Sequence, residues 1–157
     1  MVRLIAALCL SLIAVTSLAE TWVRKGFPPD KETLDRYKQG GLSDRQELLA
    51  KAFLELAGKY NDDKRTREVK DAIRRALIFH PANPAALALY EAQPALPKKP
   101  KLYKNRPLGK AYLADLQKLQ ARLTPELLEA AEVFAKHGMP LACRYALEQA
   151  RQGNEQG

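Results

Sequence analysis

His80 and His137 are the only histidines in the chain, and Cys143 follows shortly after the second. Imidazoles and a thiolate close together can hold a zinc-type ion or work as base and nucleophile. Here each histidine stands where a helix should end, before Pro81 or Gly138. At such a place an imidazole can hydrogen-bond terminal carbonyls and sit at the negative end of the helix dipole. No second ligand cluster accompanies Cys143, which reads as a small core residue. Glu129, Glu132 and Glu148 could meet across helices as paired carboxylates, but carboxylates on helix surfaces are ordinary. There is no Gly-rich phosphate loop, nucleophile elbow or metal-spaced histidine pair. The sequence points to no catalytic residue, no metal and no cofactor, and so to a protein that is not an enzyme.

Charge offers a different chemistry. Lys98, Lys99, Lys101, Lys104, Arg106 and Lys110 crowd around Pro97, Pro100 and Pro107, with no acid between Glu91 and Asp115. Prolines three apart favour an extended polyproline II chain. The stretch reads either as a solvated linker or as a cationic arm that attracts an anionic envelope polymer or lipid headgroups. Such attraction is screened beyond about 8 Å at physiological salt. Nucleic acid would satisfy the same charge. Export argues against it, and Tyr103 is the one aromatic among the lysines.

Export is read from the start of the chain. Met1 to Ala19 has one charge, Arg3, an apolar run from Leu4 to Val15, and Ser17-Leu18-Ala19 ahead of Glu20. That is the layout of a secretory signal peptide. The product would be periplasmic or secreted, with Cys143 its only thiol and hence no intramolecular disulfide. Retention of residues 4–19 as a membrane anchor is the competing reading, although a spanning helix wants about 20 apolar residues.

Positioning falls to helices. Ser43-Asp44-Arg45-Gln46 is a capping-box signature. It opens a helix to about Tyr60, with Leu49, Phe53, Leu56, Ala57 and Tyr60 on one stripe. From Thr66 to Phe79, Val69, Ala72, Ile73, Ala76 and Leu77 make a second stripe, closed by Pro81. Lys64, Arg65, Arg67, Lys70, Arg74 and Arg75 with Glu68 and Asp71 are expected to form a solvated face of local ion pairs. A turn at His80–Pro84 leads to a helix from Ala85 to Ala92, with Leu87 and Tyr90 inward. After the cationic stretch a helix from about Leu108 to Arg122 carries Tyr112, Leu116, Leu119 and Leu123. Thr124 is expected to cap the next helix, with Pro125 at its first position. Gly138 ends that helix, Pro140 begins the last one, and Gln152 onward reads as a frayed tail. Before all of these, Trp22 and Phe27 are expected to anchor the N-terminal segment, and Asp30 to cap a short helix from Lys31. The divisions are a signal peptide (1–19), an N-terminal segment (20–42), a helical hairpin with the start of a further helix (43–92), a Pro/Lys-rich linker (93–107), C-terminal helices (108–152) and a tail (153–157).

The spacing of Phe53, Leu56, Ala57 and Tyr60, then Val69, Ile73, Ala76 and Pro81, resembles a tetratricopeptide repeat (TPR). Leu127, Ala130, Ala131 and Phe134, followed by Cys143, Leu147 and Ala150, repeat the template without its closing proline. The stretch between them, Pro84 to Leu123, matches poorly and carries the Lys/Pro insertion. The resemblance implies an all-α fold, a short array of antiparallel helix pairs forming a TPR-like α-solenoid fragment. It also implies a groove for a protein or peptide partner, walled by Leu54, Gly58, Asn61, Leu128, Glu132 and Ala135. An irregular helical bundle would show the same stripes. A scaffold for a partner in the cell envelope and a cationic polymer- or lipid-binding protein are the two functions these residues suggest.

Overall fold

The computed structural model describes residues 43–61, 66–93 and 108–155, together with Lys31 and Asp35. The signal peptide, the anchors Trp22 and Phe27 and the residues from Lys98 to Arg106 lie outside the described residues. The described residues form six helices and no strand: α1 Ser43–Asn61, α2 Thr66–Phe79, α3 Pro84–Ala92, α4 Lys110–Arg122, α5 Thr124–Lys136 and α6 Pro140–Asn154. The protein is all-α, as the 3.6-residue periodicity requires.

Two helix pairs carry most of the packing, α1 with α2 and α5 with α6, and α4 packs chiefly on α6. The periodic stripes are what they bury. Leu49, Phe53, Leu56, Ala57 and Tyr60 of α1 and Val69, Ala72, Ile73, Ala76 and Leu77 of α2 are all core. Phe53 stacks on Phe79 with centroids 5.8 Å apart, and Phe79 meets Tyr145 of α6 at 5.7 Å. Leu127, Ala130, Ala131 and Phe134 of α5 and Cys143, Ala146 and Ala150 of α6 extend the same core. Cys143 is disulfide-bonded and not free; the expectation of no disulfide concerned the chain cleaved after Ala19.

The helix ends follow local chemistry. Asn83 caps α3, its side-chain oxygen accepting from the Ala86 N–H at 2.9 Å. Gly138 ends α5 at φ 65°, a left-handed conformation that suits glycine. There the Met139 N–H bonds Phe134 and the Gly138 N–H bonds Ala135, which satisfies the last carbonyls. Thr124 differs from expectation. Its hydroxyl donates back to the Gln120 carbonyl at 3.1 Å, so it closes α4 instead of capping α5. α6 also runs on through Asn154, where a frayed tail was expected. Gly153 explains this, because its face rests on the α4 backbone: a Cβ there would lie 2.5 Å from the Ala121 nitrogen. In α3 only Ala86 is buried, while Leu87 is half-buried and Tyr90 is exposed. The helix is too short to cover both apolar residues that were expected to point inward.

Candidate functional site

α4 is held by polar contacts from three other helices, and these contacts shape the surface beside it. Gly109 starts α4 without a side-chain cap of its own. Its N–H donates instead to the Glu68 carboxylate of α2 at 2.9 Å, which also puts a negative charge at the positive end of the helix. One turn on, the Tyr112 hydroxyl donates to Asp71 at 2.7 Å. Asp71 in turn binds Arg75 at 2.7 Å, and Arg75 donates to Gln149 of α6. Gln120 closes the circuit, donating to Gln149 at 2.9 Å and to Gln152 at 3.0 Å.

This node corrects the reading of α2's charges as a solvated face. The local ion pair exists, but its side chains are only 15% and 26% exposed and turn toward α4 and α6. A half-withdrawn pair is tolerable because every member finds a hydrogen-bond partner. Burial opposes the Arg75 charge, yet Tyr145, Asp71 and Tyr112 hold it above its usual range. Burial first, and then Asp71, pushes the Tyr112 phenol well above the ordinary tyrosine range. Burial pushes Tyr145 up to about 12. Both phenols therefore stay protonated at neutral pH, as donors and packing groups.

Outside the node, α1 and α4 enclose a groove of about 370 Å³. Ala52, Leu56 and Leu119 give it an apolar floor, and Glu55, Lys59, Asp115, Lys118 and Arg122 line the rest. Asp115 accepts from Lys59 at 2.5 Å and from the Tyr60 hydroxyl at 2.7 Å. The Lys59 hydrogen bond, and then that of Tyr60, hold its carboxyl below the usual range. Tyr60 stands edge-on to Tyr112 at 5.3 Å, so the groove wall and the buried node share an aromatic contact.

Comparison of the chain with protein-family models, curated proteins and solved structures found no match. The site is therefore read from its residues alone.

The residues expected to wall a groove have mixed fates. Gly58 and Asn61 are exposed on α1, and Glu132 is exposed on α5, where it pairs with Lys136 at 2.9 Å. Leu54 and Leu128 are half-buried and pack on the core. Ala135 is buried, only 5% exposed, and so offers a partner almost no surface. Of the cationic stretch only Lys110 is described, exposed in the first turn of α4. Glu129, Glu132 and Glu148 each take a different cation, Arg45, Lys136 and Arg151. His80 does not bond a terminal carbonyl: its Nε2 lies 3.8 Å from Glu47 and its Nδ1 is buried without a partner. Among the described residues no group of three or more His, Cys, Asp or Glu side chains could hold a metal ion, and no helix is long and apolar enough to cross a membrane.

Sequence reasoning missed Glu55, Lys59, Asp115, Lys118 and Arg122. A signal existed, since Asp115, Lys118 and Arg122 recur at helical spacing on one side of α4. Nothing local says that this side faces α1.

Proposed function

We propose that the protein is a non-catalytic, exported, TPR-like scaffold that binds a protein or peptide partner in the cell envelope. The observation that carries this reading is the parallel fate of the two stretches in register. Phe53, Leu56, Ala57, Tyr60, Val69, Ile73 and Ala76 are core, and so are Leu127, Ala130, Ala131, Phe134, Cys143 and Ala150, while Leu147, at the place of Ile73, is half-buried. Each set sits on two successive helices packed on one another. Helix pairs in an array bury their stripes against each other and leave the remaining faces for ligands. Gly58 and Asn61 on α1 are such a free face.

The test is a pulldown from an envelope extract at low and high salt. A partner bound at this face should be lost with Gly58→Arg, a change with room to fit because nothing lies within 4 Å of a Cβ there. A partner insensitive to that variant and to changes at Leu128 and Glu132 would overturn the reading. Export is tested separately: mass measurement of the exported product should place its N-terminus at Glu20, and an intact Met1–Ala19 would instead support a membrane-tethered form.

The alternative is a cationic envelope protein that holds an anionic polymer or lipid headgroups through Lys98 to Lys110. The density of positive charge without an intervening acid favours it. Replacing Lys98, Lys99, Lys101 and Lys104 with Gln should then abolish low-salt binding to anionic vesicles; unchanged binding would leave the stretch a linker.

A further inference from the structure

The groove between α1 and α4 has an unequal charge balance. Lys59 is neutralised by Asp115, which two hydrogen bonds fix in place. Lys118 and Arg122 are exposed, and no ion pair within 4 Å engages either one among the described residues, although Lys118 adds to the attraction that holds the Asp115 carboxyl low. Glu55 is the opposing carboxylate on the lining. An apolar floor thus lies beneath a rim whose uncommitted charge is mainly positive, on a chain of net charge +8.

We propose that this groove binds an acidic peptide segment of a partner, with an apolar side chain on Ala52, Leu56 and Leu119 and carboxylates against Lys118 and Arg122. The inference rests on the peptide-binding reading above and names the ligand chemistry for a face that reading did not use. Charge complementarity selects the occupant. Arg122 can take a carboxylate through two parallel N–H bonds, whereas a basic peptide would set its charges against both free cations. The volume suits one or two side chains, not a folded domain. The walls are fixed in advance, because α4 is pinned through Glu68, Asp71 and Tyr60. Little ordering is then left to oppose binding. Exposed pairs are individually weak and screened by salt, so the affinity should be modest and should fall as ionic strength rises.

Fluorescence anisotropy on the full chain tests this, with fluorescein-labelled short peptides of alternating Glu and Leu, Gln and Leu, or Lys and Leu. The Glu/Leu peptide should bind saturably and more tightly than the other two. Lys118→Glu with Arg122→Glu should weaken it about tenfold, the scale expected for two rim charges reversed. Glu55→Gln should tighten it, and the four Lys→Gln changes at 98, 99, 101 and 104 should leave it as it was. Circular dichroism of each variant should match wild type, since these are surface positions. Failure of the Glu/Leu peptide to bind overturns the proposal, as does binding that ignores the charge reversal or follows the lysine stretch. Preference for the Lys/Leu peptide, abolished by Glu55→Gln, would sink the acidic assignment while leaving a peptide scaffold standing. Binding to phosphatidylglycerol vesicles with none to any peptide would overturn both.

Discussion

The two helix pairs follow one spacing and fill it with different volumes. Where α1 and α2 meet, Phe53, Tyr60, Ile73 and Phe79 supply large fully or nearly fully buried side chains. Where α5 and α6 meet, Leu127 and Phe134 are the large buried side chains, and Ala130, Ala131, Ala142, Ala146 and Ala150 fill much of the rest. Large side chains hold a pair together by area and by ring contacts. Small ones remove little apolar area each, but they let backbones come close, as Gly153 does against α4. One periodicity thus yields a first pair richer in buried aromatic side chains and a second pair that leans more on small ones around Leu127 and Phe134. The first should be sensitive to lost volume and the second to added volume.

The largest effect should come from Phe53→Ala, at about 3–5 kcal/mol in denaturant unfolding. Leu127→Ala, at the matching place in the second pair, should fall toward the lower end of about 2–5 kcal/mol. Equal losses would break the contrast. Next is the node between the halves. Asp71→Ala strands Arg75 and the Tyr112 hydroxyl and should cost up to about 3 kcal/mol. Asp71→Leu combined with Arg75→Met should cost less than either change alone, since no unpaired charge remains. A combined loss equal to the sum would show that the pair does not act as a unit.

Adding volume sharpens the contrast. Gly153→Ala meets backbone atoms of Gln120 and Ala121 and should cost about 1–3 kcal/mol. Gly58→Ala, exposed on α1 with nothing near its Cβ, should instead stabilise by up to about 1 kcal/mol. Similar melting temperatures for the two variants would refute the close approach of α6 to α4. The smallest effect is invisible at neutral pH. Tyr145 is pushed from 10.0 up to about 12, so the unfolded chain ionises first. The stability this phenol contributes is complete below pH 10 and disappears as pH rises toward 12. The last part of the tyrosinate absorbance, from Tyr112 and Tyr145 among the six tyrosines, should therefore rise together with loss of helical circular dichroism; ionisation of all six near pH 10 in a folded protein would contradict the upward shift.

The helices were legible because their causes are local. Phe53, Leu56, Ala57 and Tyr60 recur at the helical period, Gly138 ends α5 at a positive φ, and Pro140 opens α6. The groove was not legible in the same way. Leu54, Leu128 and Ala135 looked like a free face, yet Leu54 and Leu128 pack against the core and Ala135 belongs to it.

By itself the sequence determined that these segments are helices, roughly where they lie and which stripe each buries, since periodicity and turn chemistry act within a few residues. Tertiary structure alone decided that Glu68 would cap α4, that Asp71 and Arg75 would turn inward to Tyr112 and Gln149, and that Asp115 would face Lys59. Those partners are separated by dozens of residues. A charged side chain on a helix is compatible with solvent or with a partner, and only the packing of the other helices selects between them.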